Sequence, residues 1–144
     1  MGLFSKTTSD QDWFKQLTSN ILYGGLRDIS KRYESSLEIG PEGDLNEKFL
    51  AMGLVSTMFT EAFAQFKSLP EPTGSTAKSA HKSFLSGLES HIKSAKEGQK
   101  WIGRLMEGKF DAKGQRMQDT YERLGHDGRI KLHKAFEYID SYQL

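Results

Sequence analysis

The chain has 144 residues, of which 36% are apolar, 11% aromatic and 27% charged, and none is cysteine. That is the length of one domain with enough apolar matter for a core, and it excludes disulfides, thiolate metal sites and cysteine nucleophiles. Twenty basic residues against nineteen acidic ones give a net charge of +1, so total charge lends nothing to nucleic-acid or lipid binding.

Residues 1–72 carry seven basic and ten acidic side chains and residues 73–144 carry thirteen and nine, a split able to orient a partner or a second copy. Met1-Gly2-Leu3-Phe4-Ser5-Lys6 has no signal-peptide core, and Lys6 stands where myristoylation needs a hydroxyl. Residues 1–8 are expected to be a flexible N-terminus, with Leu3 and Phe4 free to dock elsewhere. The longest uncharged run, residues 49–60, falls short of the ~20 residues of a membrane-spanning helix. The expectation is a cytoplasmic protein without a membrane span.

Four helical stretches follow in order. Ser9 can cap the first, with Asp10 and Asp12 at the positive end of its dipole. Phe14, Leu17, Ile21, Leu22, Leu26, Ile29, Tyr33 and Leu37 then recur at three- and four-residue steps until Gly40-Pro41-Glu42-Gly43 ends the pattern. Asp44 and Glu47 form a capping box for the second stretch, which runs to about Leu69. Its apolar residues leave only a strip of Thr57, Glu61, Gln65 and Ser68, which predicts a place at the centre of a bundle.

Residues 70–76 read as a loop, with Thr76 as the next cap. The third stretch aligns Ala80, Phe84, Leu88, Ile92, Ala95, Ile102, Leu105 and Phe110, and the stripe stays in phase across Gly98, which predicts one long helix with a break there as the alternative. Asp111 caps the fourth, whose stripe runs through Met117, Tyr121, Leu124, Leu132, Ala135, Ile139 and Tyr142. It either kinks or breaks at Gly125–Gly128. Nothing reads as a strand. The pattern predicts an all-α, antiparallel four-helix bundle, a single helical domain over residues 1–144.

Chemistry-bearing patterns are sparse. Glu122 and His126, one turn apart, are a conceivable metal pair, but no Glu-x-x-His or H-E-x-x-H occurs. The face they share with Asp119, His133 and Glu137 lies opposite the apolar stripe. His81 and His91 read as boundary histidines. No G-x-S-x-G and no glycine-rich phosphate loop is present, so no catalytic residue, cofactor or metal ligand is assigned. Gly24 and Gly25, adjacent within a helical pattern, point to a kink or a close helix approach. Lys93, Lys96, Lys100 and Arg104 share the outer side of the third stretch near Trp101, while Trp13 and Tyr138 read as further exposed aromatics.

These features predict a non-enzymatic interaction module acting through protein contacts or self-association. One alternative is a helical subunit touching nucleic-acid backbone through the third-stretch lysines. A second is a metal or small-ligand bundle using Glu122 and His126.

Overall fold

The computed structural model describes residues 7–8, 12–13 and 44–141. Three long helices dominate them: α1 (Leu45–Lys67), α2 (Ser75–Met106) and α3 (Ala112–Ser141). The protein is all-α. Of the first expected stretch, residues 12–13 are helical and the rest, including Gly24 and Gly25, lies outside the described residues.

Local chemistry sets most of the ends. The Asn46 amide donates to Asp44 Oδ1 at 2.9 Å, and Glu47 sits in the first turn, as the capping box predicts. The expected Thr76 cap is corrected: α2 begins at Ser75 behind Gly74, which offers no side-chain cap. Its other end is Gly108, whose φ of 76° is the left-handed geometry that lets Lys109 N–H reach the Arg104 carbonyl at 3.0 Å. The stripe therefore stops before Phe110, which is 81% exposed and belongs to the turn. Asp111 caps α3 by accepting the Gly114 amide at 2.9 Å.

The third stretch is one long helix, as the in-phase stripe predicts, and at Gly125–Gly128 the run-through alternative holds. α2 runs through Gly98, and α3 runs through Gly125 and Gly128. Both helices need those glycines for neighbours, not for turns. A Cβ on Gly98 would stand 2.6 Å from the Tyr121 ring. One on Gly128 would stand 3.0 Å from the Gly87 carbonyl oxygen and 2.9 Å from the His91 ring. Helix hydrogen bonding carries the backbone through, and the missing side chains let α2 and α3 approach closely.

The central helix is also not the one the sequence nominates. α2 packs on both α1 and α3, which barely touch each other. It fits because its buried positions are mostly small: Ala77, Ala80, Gly87, Ser90, Ser94, Ala95 and Gly98. The more apolar α1 instead turns Leu50 (62% exposed) and Leu54 (56% exposed) outward. By length and composition α1 also meets the requirements of a membrane span, a test that the core helix of a folded bundle passes as well. In the fold it buries Met52, Val55, Phe59, Ala62 and Phe66.

The core has two parts. The larger gathers Trp13, Phe59, Phe66, Phe84, Leu88 and Leu132 with several alanines, and the smaller consists of Met52, Ile102 and Tyr121. Matching contacts fix the antiparallel sense of both helix pairs: Phe66 meets Phe84 while Met52 faces Gly98, and Phe84 meets Phe136 while Gly98 faces Tyr121. Thr7–Thr8 forms a two-residue parallel pairing with Glu71–Pro72. Those two residues close the expected flexible N-terminus of residues 1–8, whose other residues lie outside the described ones, and the pairing is too short to make a sheet layer.

Candidate interaction surface

Of the three aromatics expected on the surface, one is buried and two are half-buried. Trp13 is fully buried, edge-on to Phe66 with ring centroids 6.0 Å apart, and its Nε1–H donates to His81 Nδ1 at 3.2 Å. Tyr138 packs half-buried against the larger core. Trp101 is half-buried as well, lying over Tyr121 at 5.9 Å. Large rings bury 150–250 Å² each, roughly, and are drawn inward wherever helices leave room.

The basic face survives folding. Lys78, Lys82, Lys93, Lys96 and Lys100 are all exposed, and their spacing places them in one line along α2, interrupted by Glu89. That line spans about 33 Å at 1.5 Å per residue. Carboxylates accompany some of it: exposed Glu89 lies 3.2 Å from Lys93, and half-buried Glu97 lies 3.3 Å from Lys100. Arg104, half-buried, pairs with Asp111. Exposed pairs such as Glu89–Lys93 are worth about 0–1 kcal/mol and exchange readily.

The face proposed for metal points away from the core. Asp119, Glu122, His126, His133 and Glu137 are exposed. Glu122 accepts from Gln118, Asp119 accepts from Gln115, and His133 lies 3.3 Å from Glu137. No set of three His, Asp or Glu side chains able to hold a metal converges among the described residues.

The buried histidines are structural. His81 lies over Phe66 at 4.9 Å, and burial pulls its pKa below the ordinary value, with Glu71 pulling weakly back. His91 stacks on Phe59 at 5.0 Å, nearly parallel. Burial first, and Arg129 second, lower its pKa to about 4, against a smaller upward pull from Asp127. Ser90, its neighbour, donates to Asp127 Oδ2 at 2.8 Å. That hydroxyl thus faces a carboxylate already shared with Lys131, which with Ser90 holds the Asp127 carboxyl below its usual range. It is not aligned with an imidazole as a nucleophile would be.

Where α1 begins and α2 ends, the packing opens. A cleft of about 470 Å³ is lined by Phe49, Gln99, Lys100, Gly103, Arg104, Glu107, Lys109 and Met117. Gln99 Nε2 donates to the Phe49 carbonyl at 3.2 Å and braces one wall. At the adjoining turn, Met106 (46% exposed) and Phe110 present apolar surface. Of the cleft residues, the sequence singles out Lys100 and Arg104 in its basic face and Met117 in the apolar stripe of the fourth stretch. Gly103 and Lys109 carried no signal, because only the turn at Gly108 brings Lys109 back beside α2.

No protein family, curated protein or solved structure matches this chain.

Proposed function

We propose that this protein is a non-enzymatic helical interaction module that associates with a second copy of itself through the outer face of α1. The observation that supports this reading is the exposure of Leu50 and Leu54, one helical turn apart on a helix whose next outward positions are polar (Thr57, Glu61 and Gln65). A short apolar patch on a long helix suits a two-fold contact, in which the same patch meets itself. In this reading residues 9–37 supply the fourth helix of an antiparallel bundle, which the helical, buried Trp13 supports.

The test is light scattering on untagged protein during size-exclusion chromatography. A species of twice the 16.3 kDa chain mass is expected, reverting to single-chain mass when Leu50 and Leu54 both become Lys. A monomer at every concentration sinks self-association.

A second reading rests on a separate observation, the line of exposed lysines on α2. It predicts binding to the phosphate backbone of single- or double-stranded nucleic acid without base preference, falling steeply with salt. Replacing Lys93, Lys96 and Lys100 together by Glu should abolish it, and unchanged affinity in that variant removes the reading.

A further inference from the structure

We propose that the cleft between the start of α1 and the α2–α3 turn binds a small organic anion, a carboxylate or phosphate group carried on an apolar body. The proposal is independent of the self-association reading, because Leu50 and Leu54 take no part in the cleft.

The walls divide by chemistry. Lys100, Arg104 and Lys109 line the cleft with one carboxylate, Glu107, the other two partners of these cations (Glu97 and Asp111) lying outside the lining, while Phe49 and Met117 bring apolar surface. The volume of about 470 Å³ falls within the roughly 300–1,000 Å³ common to small-molecule sites. An apolar surface beside convergent cations selects a ligand with both parts, since a bare anion forfeits the first and a hydrocarbon the second.

The cations differ in how they are held. Arg104 is fixed by Asp111, which is itself pinned by the Gly114 amide at 2.9 Å. Its Nε–H is buried and finds no hydrogen-bond partner among the described residues. A planar anion is the partner a guanidinium fits best. Lys109 lies 2.9 Å from Glu107, an exposed pair, and exposed Lys100 lies 3.3 Å from half-buried Glu97. Such pairs give up a carboxylate for a ligand anion at little cost.

Gly103 supplies the depth. A Cβ there would meet only the Phe49 ring, at 3.6 Å, an ordinary contact. A side chain at that position therefore fills the cleft without forcing the helices apart. This makes Gly103→Leu a blocking variant that keeps the fold.

The experiment titrates the full ¹⁵N-labelled chain with phenyl phosphate, benzoate, inorganic phosphate and benzyl alcohol at near-physiological salt. Phenyl phosphate or benzoate should shift the amides of Gly103, Gly108 and Lys109 and the Arg104 Nε–H. The better of the two names the anionic group, and it should bind about tenfold more tightly than inorganic phosphate or benzyl alcohol. Gly103→Leu, and separately Lys100→Met with Lys109→Met, should each weaken that binding by about tenfold with the melting temperature of Gly103→Leu held or raised. Equal response to inorganic phosphate, with shifts spread along the α2 lysines, would show surface charge alone and overturn the proposal. Unchanged affinity in Gly103→Leu, or no shift at the cleft with any probe, overturns it too.

Discussion

The two ends of the helical assembly are built from the same helices and packed quite differently. At one end Trp13, Phe66, His81 and Phe84 interlock, with Phe136 edge-on to Phe84 at 5.3 Å, and all but Phe136 are buried. At the other, Met52, Ile102 and Tyr121 form a small core beside a cleft walled by long charged side chains. The closed end has an extra segment, residues 12–13, contributing a large ring between α1 and α2. Among the described residues, the rings converge at one end, and the end with fewer of them is where the cleft opens.

The sharpest way to break that contrast is to make the same size of truncation in each core. Leu88→Ala in the larger core should fall toward the upper end of about 2–5 kcal/mol, and Ile102→Ala in the small core toward the lower end. Urea denaturation measures both. Equal losses would mean that the two ends are one cooperative core of uniform packing.

Acid should then act on the larger core first. His91 has its folded pKa lowered from 6.5 to about 4, so between those values the unfolded chain binds a proton that the folded chain refuses. Stability is fully present above pH 6.5 and declines as pH falls toward 4, by about 3 kcal/mol at 1.36 kcal/mol per pH unit. The carboxylates Asp111 and Asp127, held below their ordinary values by hydrogen bonds, add their losses only at lower pH. His91→Gln should flatten the upper part of a stability–pH profile. A wild-type profile already flat from pH 6.5 to 4 would contradict the burial of His91.

The smallest expected effects grade the glycines. Gly128→Ala places a methyl group against the Gly87 carbonyl, where backbone must move, and should cost about 1–3 kcal/mol. Gly53→Ala meets only the end of the Gln99 side chain. The helix-propensity gain of about 1 kcal/mol there is offset by a disturbed Gln99–Phe49 hydrogen bond, leaving a net change within about 1 kcal/mol. If the two variants unfold at the same urea concentration, the close α2–α3 crossing is not what makes Gly128 necessary.

The sequence by itself determined the helical class, the Asp44 and Asp111 caps and the exposed lysine line, because periodicity and capping act over a few residues of chain. Its cost argument for glycine inside a helix also holds, but only Gly24 and Gly25 received it, and they lie outside the described residues. Gly53, Gly87 and Gly98 answer the same argument with contacts on other helices, which no local pattern announces. Tertiary structure alone decided that Trp13 is core, that small-residue α2 and not apolar α1 lies between its neighbours, and that Gly108 folds Lys109 back beside Arg104. Apolarity measures how much a side chain gains from burial. Which helix reaches the middle depends also on how closely others approach it, and that is a property of pairs of surfaces.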